Sequence, residues 1–492
     1  MCRLTIRKLR LFSLGFLSFI IGTHPEWLAD CFRIIGVCGI LCSLIVTIGP
    51  WVPVGFCRDA VYTVLVISVT CIGLSVAYHD TIVRLGFPFE YATGISGTVL
   101  QDARIGSDGR CVVEIKLHRC VSVFGSESTA SGKTLVFCPA HMRETLPAGI
   151  AIDATGSWRQ TDDERWLFSA KSVRVTSNDH VQVRPFLLDM ISKHMRQLQD
   201  DASAMGNLLL LGIGDGACEQ RIKQLAVESG CAHVLALSGM HLNVLSSLIA
   251  SVLGLLIGTR RAKLVTLIPS ASYVWLIGYK PSLLRALCMQ SYVAIRNDND
   301  CADQALWFAC IVQVYLTPYD IFSTGCLLSY SALAGILLYT EPIEAILRFF
   351  MPRFMAKALS VSLAALIFSA PIVLGVFGVW YPVGIIVGCF VAPLACLMLC
   401  MLFAWCFVPI PLLSRIIRVL TKVFLFILDK ASALSNSHPS YGNGVTLAVI
   451  GSALLTAALV LRYACACVRK RSMNIDGMGL PLRIGKSNRR IA

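Results

Sequence analysis

Charge is scarce in this chain. Asp, Glu, Lys and Arg supply only 15% of its 492 residues, too little to clothe a soluble protein of this length. None of the four occurs in the 57 positions from Ala358 to Ser414, where one membrane crossing would need only about 20 residues. These absences exclude a water-soluble fold for most of the chain and imply a polytopic α-helical membrane protein. Chemical signatures are missing as well. No Gly-x-x-x-x-Gly-Lys-Ser/Thr run occurs, which excludes ATP hydrolysis through a phosphate-binding loop of that type. No Cys-x-x-Cys pair has zinc-finger spacing, and His233 and His241 stand eight apart with no third ligand in sight, so no metal site and no cofactor are expected.

Positive charge and cysteine are present in excess. Lys plus Arg number 43 against 29 Asp plus Glu, a net of +14, which basic cytoplasmic loops explain without an anionic partner. From Arg462 to Ala492 there are eight Lys or Arg and one acid, Asp476, so residues 464–492 read as a basic cytoplasmic tail. Arg3, Arg7, Lys8 and Arg10 precede the first apolar stretch; further spans follow at once, so this start reads as cytoplasmic and its helix as retained. Most of the 21 cysteines stand singly in apolar runs, where Cys acts as a small hydrophobe. Cys111, Cys120 and Cys138 fall in a polar segment, and on an oxidising side of the membrane two of the three could pair.

Hydropathy divides the chain. Residues 1–79 hold three apolar stretches, roughly Leu11 to Gly22, Ile34 to Val54 and Val61 to Tyr78. Three crossings from a cytoplasmic start, with the acidic loop His24 to Asp30 outside, place the next segment on the outer face. Residues 90–179 contain five short alternating runs, Gly94–Leu100, Arg110–Val121, Lys133–Cys138, Gly149–Ala154 and Trp166–Val175. They predict an inserted small all-β, extracytoplasmic domain, for which an OB-like barrel is the economical candidate and an unrelated five-stranded sandwich the alternative. Residues 180–205 predict an amphipathic interfacial linker helix with Leu187, Met190, Ile191, Met195 and Leu198 on one face, although a connector packed on the barrel would show the same pattern.

From 206 to 463 the chain is membrane again. Candidate spans are Cys231–Gly258, Leu264–Tyr279, Pro281–Ile295, Gln304–Tyr319, Ile321–Thr340, two or three within 358–414, Ile416–Leu428 and Gly444–Leu461. Breaks are expected at Ala370-Pro371 and Tyr381-Pro382. Non-helical backbone at membrane depth is tolerated only inside protein or along a water-filled path, which favours transport over anchoring.

Two polar clusters interrupt this region. The first is Asp215, His233, Ser238 and His241, and ionisable groups in apolar segments usually face a bundle interior, a cavity or one another. Ser238 and His241 also invite a hydrolase reading, but no nucleophile elbow or oxyanion site accompanies them; Gly239 would instead break the helix. The second is Lys280-Pro281-Ser282-Leu283-Leu284-Arg285-Ala286, where Pro281 suits the first helical position. There Arg285 sits one turn in, as a phosphate contact or as half of a packing ion pair.

Together these residues resemble the competence DNA-uptake channel family (ComEC). Its core carries a Gly-Asp element, here Gly214-Asp215, and an Ala-His-x-Leu-Ala-x-Ser-Gly-x-His element, here Ala232, His233, Leu235, Ala236, Ser238, Gly239 and His241. It continues with Pro-Ser-x-x-Arg-Ala, here Pro281, Ser282, Arg285 and Ala286, and with Gly-x-x-Leu-Ser, here Gly325, Leu328 and Ser329. The resemblance runs from about Val61 to Leu461 and implies a channel admitting one DNA strand across the bacterial inner membrane. Its implied path includes Asp215, His233, Ser238, His241, Ser282, Arg285 and Ser329. Two departures stand out: Gly216 and Cys326 replace the Arg and the aromatic usual in the family. Many members end in a metallo-β-lactamase-like domain, for which the His-x-His-x-Asp-His run is absent here. The resemblance is therefore to a form without it, which is no enzyme and works with a separate nuclease, a DNA-capture protein and a cytoplasmic translocating ATPase. Single-stranded DNA and the lipid bilayer are its partners, and a homo-oligomer is compatible with this reading.

In the barrel segment Trp158, Arg159, Arg165 and Trp166 could offer unpaired bases a stacking and phosphate surface. The acids Asp162, Asp163 and Glu164 lie among them, and from Asp80 to Asp189 there are 12 Lys or Arg against 13 Asp or Glu. Strong nonspecific DNA capture by charge is therefore not expected of it. The competing classes are an intramembrane hydrolase using Ser238 and His241, and a solute transporter or non-transforming relic of the channel family.

Overall fold

The computed structural model describes residues 67–75, 82–105, 110–139, 146–160, 166–176, 183–214, 216–278, 280–297, 301–317, 320, 323–377, 381 and 383–435. The expected spans at 11–22 and 34–54, half of 61–78, the loop 24–30, the span at 444–461 and the basic tail lie outside the described residues. So do Asp162, Asp163, Glu164, Arg165 and Asp215.

Alternating sequence builds a closed sheet. Its strands are β1 (Arg84–Leu85), β2 (Ala92–Val99), β3 (Arg104–Ile105), β4 (Cys111–Ser122), β5 (Glu127–Ser131), β6 (Lys133–Cys138), β7 (Ala151–Gln160) and β8 (Trp166–Val175). Five of them close a circuit in which β4 pairs β2, β2 pairs β7, β7 pairs β8, β8 pairs β6 and β6 returns to β4. The β6–β8 pair is parallel. This is the five-stranded barrel expected from the sequence. Ile95, Ile115, Leu117, Val136, Ile152 and Phe168 fill its interior, each almost fully buried. Alternation does not predict β5, because only Ala130 of Glu-Ser-Thr-Ala-Ser is buried and the run is otherwise polar.

Cys111 and Cys138 face each other across β4 and β6, whereas Cys120 stands opposite Ser128 on β5. All three are buried free thiols. Register therefore singles out Cys111 and Cys138 as the cross-strand pair.

After the barrel, α1 (Val183–Met195), a 3-10 turn (Arg196–Leu198), α2 (Asp200–Gly206) and a π-helical turn (Asn207–Leu211) run on almost without interruption. Met195 and Leu198 of the expected amphipathic face are buried in the helical core, but Met190 is exposed. There follow α3 (Ala217–Glu228), α4 (Ala232–Leu235), α5 (Gly239–Ile257), α6 (Thr259–Val265), α7 (Leu267–Ile277), α8 (Pro281–Arg296), α9 (Ala302–Leu316), α10 (Thr324–Leu347), α11 (Arg353–Phe377), α12 (Val383–Trp405) and α13 (Pro411–Ser435). Among the described residues, α5, α10, α11 and α12 are long and apolar enough to cross a membrane, which makes this a multi-pass membrane protein.

Several expected spans are resolved differently. The stretch 231–258 splits into α4 and α5, and 264–279 falls across α6 and α7. Pro371 does not break its helix, since α11 runs through it; packed surroundings let membrane helices tolerate proline. Residues 416–428 lie within α13, which is amphipathic rather than a plain span. Ile417, Phe424 and Leu428 face the core while Arg415, Arg418 and Lys422 are exposed.

The helices form two apolar cores. One gathers Met195, Leu209, Leu242, Leu283, Met398 and Phe424, joining the linker helices to α5, α8, α12 and α13. The other gathers Leu74, Leu306, Tyr330, Ala334 and Phe368 from residues 67–75, α9, α10 and α11. Helix α8 stands between them, with Leu283 in the first core while Leu284 and Cys288 meet Ala309 of α9.

Burial pushes the Cys138 thiol up to about 12, with Cys111 adding to the effect. A thiol whose folded pKa exceeds its ordinary value stabilises the fold fully below that value and loses its contribution as pH rises toward the folded one. Cys138 is therefore expected to resist alkylation at pH 8 in the folded chain and to react after denaturation, as mass spectrometry of the labelled peptide would record.

Candidate functional site

Three interruptions in the helical path meet at one place. The π-helical turn ends at Gly212, whose left-handed backbone (φ +66°) turns the chain toward Gly214. A Cβ on Gly212 would lie 2.6 Å from Lys280 Nζ and would also strike Leu237. Leu237 sits in the break between α4 and α5, and its carbonyl accepts the Ser282 hydroxyl at 2.9 Å. The Gly-Asp, Ala-His and Pro-Ser elements, far apart in sequence, are thus neighbours. Asp215 itself is outside the described residues. Gly214 O accepts Lys223 Nζ at 2.7 Å, which ties this turn to α3.

The fourth element joins through Arg285. Its guanidinium is only 8% exposed, in the first turns of α8, and its Nη1 donates to Ser329 O on α10. It lies 5.8 Å from the centre of the Tyr330 ring. Where a Cβ on Gly239 would stand, Arg285 Nη2 is 2.9 Å away, so the charge rests against the N-terminus of α5. Pro281 occupies the opening of α8 as expected. No carboxylate bonds Arg285 among the described residues, and its Nε has no hydrogen-bond partner there. The packing ion pair that was the alternative for Arg285 is not found among them.

Ser238 and His241 come together as a helix cap. Ser238 precedes α5 and its Oγ accepts the Met240 amide at 3.3 Å, while its own amide donates to His241 Nδ1 at 3.3 Å. This reciprocal capping box satisfies donors that a helix start leaves open. Gly239 therefore begins a helix instead of breaking one. The Ser238 hydroxyl is also 3.3 Å from His241 Nδ1. With Nδ1 accepting, the His241 proton belongs on Nε2, which is buried without a partner among the described residues. His241 is 1% exposed. His233, on the four-residue α4, is exposed and is not drawn into the junction.

Two contributors are not evident from the motifs. Gln313 of α9 is fully buried, donates to Pro281 O at 3.2 Å and accepts the Tyr330 hydroxyl at 2.9 Å, bracing α8 against α10. A lone amide in the apolar run from Leu306 to Leu316 was the available signal. Further along α5 and α8, Gln290 Nε2 donates to Asn243 at 2.7 Å and Gln290 Oε1 accepts from Ser246, which also meets Ser270 at 2.7 Å.

The barrel aromatics are arranged otherwise than expected. Trp158 packs edge-on against Phe89 and Phe168, and Phe89 stacks on Trp166 at 4.2 Å. These rings serve the barrel's own packing, and only Arg159 of the described set is exposed. The open aromatic faces are Tyr91 and Phe124, 6.3 Å apart, with Phe124 83% exposed.

Close packing at Gly239 makes a stability prediction. In Gly239→Val the added atoms meet Arg285 and Ala286 Cβ at 3.1 Å, whereas a Cβ on Gly325 meets nothing within 4 Å. Overpacking of this kind costs about 1–3 kcal/mol. The thermal midpoint of the detergent-purified chain should fall for Gly239→Val and stay unchanged for Gly325→Ala.

Comparison with known proteins identifies the family. The family model for Competence protein matches residues 209–471, more than half of the chain and the whole of the four-element junction. No significant match is found among curated proteins or among solved structures. The chain belongs to the competence protein family, a membership that ties it to DNA uptake in natural transformation.

Proposed function

We propose that this protein conducts single-stranded DNA across the bacterial inner membrane, between its two helical cores and past Arg285. One observation carries the reading: Arg285 is a buried guanidinium with no carboxylate bonded to it among the described residues, set against the N-terminus of α5. Helix N-termini carry partial positive charge and gather anions. A guanidinium stays ionised and binds phosphate with two prongs. The guanidinium and the N-terminus of α5 thus make this spot positive, and no carboxylate bonds Arg285 among the described residues. A DNA strand brings one phosphate per nucleotide.

Ser282, Ser329, His233, Ser238, His241 and Asp215 complete the proposed path, with the carbonyl of Ser329 yielding Arg285 to the passing phosphate. In this closed arrangement His241 and Arg285 are sealed off, so passage requires α8 and α10 to part. Tyr91 and Phe124 supply the barrel with faces on which bases can stack, alongside Arg159. Capture, degradation of the second strand and the driving force are assigned to separate partner proteins. The hydrolase reading has its two residues in contact, but their bonds serve a helix cap.

Arg285→Ala is expected to reduce internalisation of labelled DNA by at least about a hundredfold, as loss of a charge-assisted contact in a dry site implies, while surface-bound DNA stays at the wild-type level. Normal uptake in that variant, with the protein present in the membrane, would reject the conduit. A serine-reactive probe is expected to leave the wild-type chain unlabelled, since Ser238 serves only the α5 cap. Labelling of the wild type that disappears in Ser238→Ala would favour the hydrolase.

A further inference from the structure

The barrel grips the helices at the two turns from which α8 and α10 begin. Arg184, near the start of α1 and only 8% exposed, donates Nη1 and Nη2 to Asp102 Oδ1 and Oδ2 at 2.7 and 2.6 Å. Its Nε and Nη2 also donate to Leu276 O at 2.9 Å and Ile277 O at 3.0 Å. Those carbonyls close α7, where unbonded acceptors and partial negative charge collect. At Gly278 the backbone is left-handed (φ +94°) and a Cβ would lie 2.8 Å from Arg184 Nη2. Glycine alone suits both demands. Asp102 is fixed further by the Ala148 amide at 2.9 Å. Burial alone would raise its carboxyl, but the Arg184 bonds and charge, the Ala148 amide and Lys280 hold it below the ordinary range. The pair is therefore ionised at neutral pH.

Next to it in the same barrel loop, Gln101 Nε2 donates to Asp320 Oδ1 at 3.1 Å. Asp320 lies in the turn that leads to α10, and its carbonyl accepts the amide of Ser323, the residue that caps that helix. Two adjacent barrel residues thus hold both turns, one leading to Arg285 and the other to Ser329. The first turn continues helices of one core and the second belongs to the other core.

We infer that the barrel loop at Gln101 and Asp102 is a clamp that keeps the two helical cores together, and that displacing the barrel releases α8 from α10. Arg184 is the positioning residue that transmits the displacement. The clamp rests on the conduit reading, because releasing it matters only if something passes between the cores. Helix α8 stays with α10 while adjacent residues of one loop, bonded to the barrel through Leu100 N to Glu114 O at 2.8 Å and Ala103 N to Leu146 O at 3.2 Å, hold both of their starting turns. The closed circuit of five strands makes that loop move with the barrel as a whole.

The test uses the full-length chain in liposomes loaded with a small anionic dye, without DNA. The double variant Gln101→Ala, Asp102→Ala is expected to leak at least about tenfold faster than wild type, the factor that losing one charge-assisted pair implies. Arg184→Lys keeps the charge without the two-pronged geometry and should leak less than Arg184→Ala. A general loss of folding would lower the yield of monodisperse protein instead; if the double variant does so, Asp102→Asn is measured in its place. Well-folded variants that leak no more than wild type overturn the clamp. If Arg285→Ala still abolishes DNA uptake in cells, the conduit survives that failure; if Arg285→Ala is silent, the conduit itself falls.

Discussion

A buried guanidinium cannot shed its charge, and the helical half of this protein is arranged around that constraint at Arg285. The chain meets it with neutral partners on α10 rather than a counter-ion among the described residues, the carbonyl of Ser329 and the ring face of Tyr330, and packs it closely against Gly239. The first two belong to α10 and the third to α5, so one side chain on α8 fixes the mutual placement of all three helices. Gln313 repeats the device without charge, tying the Pro281 carbonyl to the Tyr330 hydroxyl. A dry polar junction satisfied only in part is costly to keep, and Arg285 Nε and His241 Nε2 are the atoms left without partners in this one among the described residues.

The sequence disclosed the barrel more fully than the helices. Alternation set the positions of β2, β4 and β6 because each buries many of its alternate side chains, as in the run from Cys111 to Leu117, whereas β8 buries only Phe168. The end of β7 escapes that pattern since Ser157, Arg159 and Gln160 are exposed while the run still pairs with β8. Among the helices, apolar length located α10, α11 and α12, but it could not separate a crossing from an amphipathic helix. The α13 pattern becomes readable only when Arg415, Arg418 and Lys422 are seen to share an exposed strip beside Leu412, Ile416 and Val423. Of the two expected proline breaks, Pro371 lies inside α11, whereas Tyr381 falls between α11 and α12. Among the described residues, the interruptions at Gly212, at Ala236 to Ser238 and at Gly278 fall within or beside the motif residues.

The candidate site was legible as a set of residues but not as a set of roles. Ser238 and His241 draw notice as a reactive pair and turn out to serve a helix start, a role that spacing of three positions allows equally well. On an unbroken helix His233 would stand roughly two turns before His241; the extended backbone at Ala236 separates them and leaves His233 exposed. Trp158 and Trp166 illustrate the same limit, since composition identifies aromatic rings but not which of their faces are already taken by Phe89 and Phe168. Long-range contacts such as Arg184 with Asp102 leave no periodic trace at all.

A sheet that returns to its own first strand leaves little backbone unpaired. Beyond the five-strand circuit, the described sheet ends at two strands of two residues each, β1, which pairs with β5, and β3, which pairs with β4. Unpaired edges are where neighbouring sheets add on to one another. Many copies of this barrel crowded at a membrane surface would therefore pass one another without fusing into extended β-structure.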